Sequence, residues 1–326
     1  MLKISTRLMI EGARKRGWKA EPLDEKYSSV YKITFPNGKF HYLFSNQINS
    51  STASGYAISE DKLACFKIAE TISLPVNPYQ VYDEEDREKS KRFFQEQHKA
   101  GKELVVKPID RGHGDGITVG VRDEKGLQKA IAYAKTFSDK VLLQQRFFGK
   151  DHRLFVVDGK VIAVAHRVPP YVVGDGKQTI RELIVQKNQD PRRGDGHQGV
   201  LTKISIADVS EHLGEERLGI VPSIDERIEL LGTANLSRGG ESIDVTDDID
   251  LSYKQAAIRL AALVELTVCG VDLLCTDITQ PMSSENTTLL EINASPGVRM
   301  HHFPSEGKPR DVTSAILDAF AKFNKI

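Results

Sequence analysis

Three residues near the end of the chain have the types and spacing to hold a divalent metal. Asp272 lies in the apolar run 271–275, and Glu291 and Asn293 lie two apart in the run 289–293. On a strand, residues two apart leave the same face. The polar stretch 276–287, with Pro281 and Asn286, reads as the connection of an antiparallel hairpin. That hairpin brings all three oxygen donors to one surface. Such a set suits Mg²⁺, with Mn²⁺ as a substitute, because the ion completes its shell with water and phosphate oxygens. Outward, solvated carboxylates are the ordinary alternative. Carboxylates flanked by apolar residues, however, need a compensating cation. The chemistry that fits is a nucleoside triphosphate with its metal.

Cations and glycines that could meet phosphate occur upstream. Lys107 ends the apolar run 104–107, just before Asp110-Arg111-Gly112-His113-Gly114-Asp115-Gly116. Glycines let backbone N–H groups approach phosphate closely, and lysine adds a point charge. The loop is neither a Walker A loop nor a GxGxxG loop, and a plain hairpin turn explains it equally well. Arg153, in Asp151-His152-Arg153, opens a strand and Arg167 closes the next; a solvated strand edge is the ordinary reading of both. Asn235-Leu236-Ser237-Arg238-Gly239-Gly240 is a polar loop whose Arg238 could meet phosphate or a developing oxyanion; the alternative is a turn with an exposed arginine. The charged loop 191–197, with Arg192 and Arg193, reads by itself as surface. His301 and His302 would point apart on a strand, which argues against a metal pair. Cys65, Cys269 and Cys275 have no partner base nearby in sequence and read as core.

The elements that must position these groups can be sketched from periodicity. Residues 1–60 form a first unit: a helix capped by Ser5 and ending near Gly17, then a strand-turn-strand around Pro36-Asn37-Gly38. Residues 61–145 form a second: a helix to about residue 73, a strand after Pro75, a charged helix over about 83–100, strands around the glycine loop, and a helix striped by Leu127, Ala130, Ile131 and Ala134. Residues 146–326 form the third. It has a hairpin at Asp158-Gly159, an irregular stretch 168–225, and helices striped by Ala257, Leu260, Ala261 and Val264 and by residues 312–323. Strands and helices mix without regular βαβ alternation, which predicts an α+β fold.

Composition narrows the partners. The 326 residues carry 45 basic and 45 acidic side chains, a balance that gives no support to a nucleic-acid or membrane surface. No apolar run approaches a membrane span, and the N-terminus lacks a signal-peptide core. Three cysteines without a CxxC suit a reduced, cytoplasmic setting.

The ordered set of motifs resembles the ATP-grasp carboxylate–amine ligases. Lys62, Lys107 with its glycine loop, Arg153, 235–240 and Asp272/Glu291/Asn293 occur in the order of that family. The segments 167–177, 190–194, 201–204 and 234–237 resemble the ATP-grasp module of cyanophycin synthetases, and residues 4–62 also resemble the ligase module of bifunctional glutathione synthetases. The resemblance implies an ATP-grasp fold: two α+β lobes clasping ATP, behind an N-terminal pre-ATP-grasp unit. It implies that Lys62 and Lys107 contact phosphates, that Gly112, His113, Gly114 and Gly116 belong to a flap over them, and that Asn235 lies by the nucleotide. Arg153 and Arg238 would neutralise phosphate and intermediate charge, and Asp272, Glu291 and Asn293 would hold Mg²⁺. Family members usually carry an acidic residue at the lobe hinge, where Gln144 and Gln145 stand here, and the following segment is one residue short. Arg167, Arg192 and Arg193 are placed by position as contacts for an acidic amino-acid or short-peptide substrate. The implied activity joins a carboxylate to an amine through an acyl phosphate, in a free-standing module, and a homodimer is common in the family. The alternatives are an ATP-dependent kinase or an ATP-binding regulatory protein.

Overall fold

The computed structural model describes residues 2–24, 29–111, 115–195 and 199–326. The chain opens with helix α1 (Ile4–Lys15), which buries Ile4, Met9, Ile10 and Ala13. Ser5 does not cap it: Lys3 is the N-cap residue and makes no side-chain cap bond. Burial of Ile4 draws the helix start one residue before the serine. Strands β1 (Lys19–Pro22), β2 (Val30–Thr34) and β3 (Phe40–Phe44) follow as an antiparallel meander in the order β1-β2-β3. The inner face of this sheet presents Tyr31, Ile33 and Leu43.

Two short helices lead on: α2 (Ala53–Ser59) and α3 (Lys62–Thr71). The Asp61 carboxylate caps α3, accepting from the N–H groups of Leu63 and Ala64 at 2.9 and 3.0 Å. Next come β4 (Tyr79–Val81), α4 (Arg87–Lys99), β5 (Leu104–Pro108), β6 (Thr118–Val121), α5 (Glu124–Lys135) and β7 (Val141–Gln145). Their four strands pair antiparallel in the order β4-β7-β5-β6. The predicted stripe Leu127, Ala130, Ile131 and Ala134 closes this core with Phe94 and Leu143. Helix α3 does not join it. Cys65, Phe66 and Ala69 belong instead to the core under the next sheet.

Strands β8 (Lys150–Val157) and β9 (Lys160–Val168) form the hairpin signalled by Asp158-Gly159, whose φ values of +47° and +71° match the type I′ turn that suits a twisted ribbon. The stretch 168–225 is not irregular. It holds β10 (Tyr171–Val173), α6 (Ile180–Lys187), β11 (Arg193–Gly194), β12 (Leu201–Thr202), α7 (Ile206–Leu213) and α8 (Glu215–Leu218), and β13 (Arg227–Glu229) returns to pair with β10. Val172, Ile180, Ile184, Val209, Leu218 and Leu230 give it a core of its own. Each of these elements is shorter than the window over which a period can be read, so the sequence pattern conceals them.

After a 3₁₀ turn at Leu236–Arg238, the chain adds β14 (Glu241–Asp244), α9 (Leu251–Leu263), β15 (Val268–Cys275), β16 (Thr287–Asn293), α10 (Arg299–His302) and α11 (Val312–Asn324). The central sheet runs β14-β9-β8-β15-β16, antiparallel throughout. Helices α3 and α9 pack on one face through Phe66, Ala69, Tyr253, Ala257 and Leu260. The other face receives the N-terminal sheet, α1 and α11: Tyr31, Ile33, Met9, Phe155, Ile316 and Phe320 form one continuous cluster. The architecture is α+β, as the mixed element order predicts. His301 and His302 lie on α10 rather than on a strand.

Residues from both ends of the chain thus share one core. Phe320 is fully buried within 5.7 Å of the Phe35 ring and 6.4 Å of Trp18, both from the first unit. Phe320→Ala should cost about 3–5 kcal/mol. Urea unfolding followed by near-UV signal should show the N-terminal unit and α11 melting in one weakened transition; an unshifted first-unit transition would contradict the shared core.

Candidate functional site

The site is assembled where β15–β16 meets the N-terminus of α3 and the four-stranded sheet. The predicted hairpin forms, and Asp272 stands directly opposite Glu291 in register, with a β-bulge immediately after the pair. The Asn293 Nδ2 lies 3.4 Å from Asp272 Oδ2 and 3.2 Å from Glu291 Oε1. The three residues therefore converge as their spacing predicts.

Asp272 is fully buried, and its charge is met inside the sheet. Arg153, its register partner on β8, grips it with two bonds: Nε to Oδ1 and Nη2 to Oδ2, both 2.6 Å. Arg167 on β9 adds a contact at 2.9 Å and bonds Asp151 through Nε and Nη2 at 2.8 and 2.9 Å. Two carboxylates and two guanidiniums form a tetrad, buried except at the partly exposed Asp151. Burial alone would push the Asp272 carboxyl up; the Arg153 and Arg167 charges outweigh it and hold the group below the usual range. Asp151 goes the other way: its burial outweighs Arg167, helped by the nearby Asp272 charge. Arg153 and Arg167 are buried in this network, not on a solvated strand edge.

The cations face this set. Lys62, capped into place at the start of α3, sends its ammonium to the carbonyls of Arg111 and of Ile109 (3.4 Å), and lies 4.0 Å from Glu291 Oε2. Lys107, the last residue but one of β5, is buried and donates to Gln144 Oε1 at 2.9 Å with its charge 5.4 Å from the Phe66 ring centroid. Burial, reinforced by the Lys62 charge and opposed by Glu291, lowers the Lys107 ammonium to about 8. The other end of Gln144, Nε2, is buried without a hydrogen-bond partner among the described residues. Gln145 is fixed through its backbone, donating to Pro78 and accepting from Asn77.

The remaining expected residues divide. Gly116 closes the glycine loop at φ +70°, and a Cβ there would sit 2.8 Å from both Phe137 and Pro108, so the loop end requires glycine. Gly112, His113 and Gly114 lie outside the described residues. Asn235 opens the 3₁₀ turn, its carbonyl accepting from the N–H groups of Arg238 and Gly240. Arg238 is half-exposed and pairs with Asp208 on α7 at 2.9 Å. Arg192 is exposed and folded back on Asp190. Arg193 does not fit a substrate contact. Its side chain is 1% exposed and bonds Glu241, the Thr202 carbonyl and the Gly239 carbonyl at 2.6, 2.7 and 3.1 Å. It pins the arginine-238 loop to β12 and β14; its burial was hidden because its partners lie up to 48 residues away.

Two contributors escaped the sequence reading. Asp151 belongs to the tetrad; its signal was a charged pair, Asp151 and Arg153, at strand spacing beside an apolar run. Asn46, from the first unit, is 2% exposed, donates to the Pro296 carbonyl at 2.6 Å and accepts from the Ser295 hydroxyl at 2.9 Å. It braces the loop that follows Asn293, and no local pattern marks it. The three cysteines are buried and free, their thiols pushed up to about 12 by burial. Among the described residues no helix is long and apolar enough to cross a membrane.

The donor set suits a hard divalent cation. Glu291 and Asn293 keep partial exposure, and an amide nitrogen lies between the two carboxylates, where a cation would find oxygens on either side. Turning that amide over offers Oδ1 to the same space.

Known proteins resemble this chain in sequence and fold. A model of the RimK-like ATP-grasp domain matches residues 231–307, which include Arg238, Asp272, Glu291 and Asn293. The chain has the ATP-grasp fold and carries a RimK-like ATP-grasp domain. It is 36% identical over 321 residues to the cyanophycin synthetase of Trichormus variabilis, covering 96% of this chain and 34% of the relative. It is 32% identical over 327 residues to the glutathione biosynthesis bifunctional protein GshAB of Clostridium perfringens, covering 97% of this chain and 41% of the relative. The crystal structure of a bifunctional glutathione synthetase from Pasteurella multocida superposes with a TM-score of 0.72 at 28% identity, over 99% of this chain and 44% of that one. The chain spans roughly a third to two fifths of the length of these curated relatives.

The charges yield two expectations. The Lys107 ammonium has a folded pKa of about 8, below its ordinary 10.5, so its burial costs stability fully below pH 8, and the cost fades as pH rises toward 10.5. The stability difference between wild type and Lys107→Met should therefore move about 2 kcal/mol in favour of wild type between pH 7 and 9.5 in urea titrations; a difference independent of pH would refute the lowered value. Arg167→Met leaves Asp151 and Asp272 short of one cation and should cost roughly 3–5 kcal/mol in the same assay.

Proposed function

We propose that this chain joins the carboxylate of an amino acid or short peptide to an amine, consuming ATP. The observation that carries the reading is the juxtaposition of two buried lysines with an oxygen donor set, Lys62 standing 4.0 Å from Glu291 and Lys107 close enough to both to feel their charges. Buried cations held mainly by carbonyl and amide oxygens, with one carboxylate nearby, are suited to phosphate oxygens. The likeness to cyanophycin synthetases and to GshAB over nearly the whole chain supports the ligase class.

In this reading Lys62 and Lys107 bind the phosphates, and Lys107 gains proton affinity as the anion replaces water-poor surroundings. The segment 112–116 covers the phosphates, and Lys62 exchanges its carbonyl partners at Ile109 and Arg111 for phosphate oxygens. Gln144 and Gln145 lie at the nucleoside end, with Asn235 beside the nucleotide. Glu291 and Asn293, with Asp272 behind them, hold Mg²⁺ or Mn²⁺. The metal supplies charge neutralisation on the triphosphate. Arg153 keeps Asp272 ionised and oriented, and Arg238 leaves Asp208 to meet developing charge. A substrate carboxylate attacks the γ-phosphorus, forming an acyl phosphate and ADP. The amine then attacks the acyl carbon, phosphate leaves, and the amine proton is lost to solvent. Closure of the loop protects the acyl phosphate from water. Arg192, exposed and paired only with Asp190 among the described residues, is our candidate for an acidic substrate group.

ADP release with Mg²⁺-ATP against a matrix of amino acids and dipeptides, with mass spectrometry of active wells, tests this. A product at the summed mass of two substrates less water is expected. A phosphorylated substrate without condensation overturns the ligase in favour of a kinase, and absence of any nucleotide-induced rise in melting temperature removes the ATP site altogether. Glu291→Gln should lower turnover at least 100-fold with melting temperature nearly unchanged, since Glu291 is partly exposed and lies outside the buried tetrad.

A further inference from the structure

One contact that the reaction scheme does not use joins the first unit to the metal donors. Asn46 lies in the turn after β3, closed by the Gln47 N–H donating to the Phe44 carbonyl at 2.9 Å. The segment around it is fastened on two sides. The Tyr31 hydroxyl, from β2, donates to the Ser45 carbonyl at 2.8 Å. Thr267, the residue before β15, donates through its hydroxyl to the Ser50 carbonyl at 3.0 Å and through its N–H to the Ser51 hydroxyl at 3.1 Å. Asn46 is therefore presented from a fixed frame, and it is 2% exposed.

Both ends of its amide are spent on one loop. Nδ2 donates to the Pro296 carbonyl at 2.6 Å, and Oδ1 accepts from the Ser295 hydroxyl at 2.9 Å. A carbonyl oxygen only accepts, so the amide cannot turn over without losing the Pro296 bond. The loop is the one that leaves β16 immediately after Asn293. Gly270 faces Asn293 in register, and a Cβ there would meet Pro296 at 2.9 Å and the Arg153 Cδ and Nε at 3.2 and 3.3 Å. The proline thus folds back over Gly270 and seats beside the same Nε that bonds Asp272 Oδ1.

We propose that Asn46 is a positioning residue for the divalent-metal site: by holding Ser295 and Pro296 it fixes the Asn293 side chain and keeps Arg153 seated on Asp272. The inference rests on the reading of Asp272, Glu291 and Asn293 as metal donors. Asn293 is the last residue of β16, so the strand ladder restrains its backbone from one side only. Its direction then depends on where the next residues are held, and Asn46 holds two of the next three. Partners behind metal ligands that fix their orientation are ordinarily worth about 10- to 100-fold in metal affinity. The first unit acts on the site through this one side chain, 250 residues before Pro296.

Mn²⁺ binding, followed through the electron paramagnetic resonance signal of the free ion, reads the site without turnover. Asn46→Ala should weaken it about 10-fold or more. Asn46→Asp should do the same, since a carboxylate still accepts from Ser295 but repels the Pro296 carbonyl. Ser295→Ala, which leaves the Pro296 bond in place, should fall between these and wild type. Ile33→Val, a truncation in the core of the first unit that keeps the Asn46 turn, should lower the melting temperature and leave the affinity at its wild-type value. Unchanged affinity in both Asn46 variants overturns the proposal. So does a loss in Ile33→Val equal to that in Asn46→Ala, which would make Asn46 a support of the fold alone. Glu291→Gln separates this from the reading beneath it: Mn²⁺ binding that this variant does not weaken overturns the donor set, and the inference with it.

Discussion

The structure depends on one buried charge. Asp272 lies in the middle of the central sheet with no exposure, and an unpaired carboxylate there would be prohibitively costly. Arg153 and Arg167 make it possible, and they can do so because β8, β9 and β15 are adjacent and in the register that sets Arg153 against Asp272 and Asp151 against Arg167. A one-residue slip in either pairing would turn one partner to the opposite face. The sheet register and the donor set are therefore the same constraint. Stability follows only if the tetrad is complete, and the completed tetrad presents Glu291 and Asn293 at the sheet edge with a fixed anionic residue behind them.

The lysines show the converse arrangement. Lys62 and Lys107 are buried with oxygen dipoles for company but too little formal negative charge, and the proton on Lys107 is correspondingly weakly held. Positive charge held against desolvation is a prepared site for an anion, since binding relieves a cost already present in the free protein. Arg111 joins the same network by accepting from Lys62 at its backbone carbonyl. Helix α3, which carries Lys62, packs on the central sheet that holds the donor set, whereas Lys107 stands on the four-stranded sheet.

The first unit serves the site from behind. Its sheet and α1 share a core with α11 and the back of the central sheet, and Asn46 holds the loop after Asn293 from that side. The small core over 172–230 plays a similar part for Arg238, which reaches Asp208 on α7 while Arg193 anchors the turn beneath it. Arginines that look alike in sequence thus have different work. Arg153, Arg167 and Arg193 are enclosed by carboxylates and carbonyls, whereas Arg192 and Arg238 reach solvent.

The sequence by itself determined what is local. The Asp158-Gly159 hairpin, the stripe of α5, the helix that runs to about residue 73, and the same-face spacing of Glu291 and Asn293 all follow from dihedral preferences and periods of two or 3.6 residues. The order of motifs along the chain also carried the ATP-grasp reading. Only the tertiary structure decided which charges meet. Arg153 lies 119 residues from Asp272, Asn46 lies 250 from Pro296, and Arg193 finds its partners on two strands and the turn at Gly239. Local pattern gives a residue its face, but the cost of burying a charge is settled by whichever distant chain segment supplies the opposite one. That is why Arg193 read as surface and is buried, and why Asp151 read as an edge residue and is part of the tetrad.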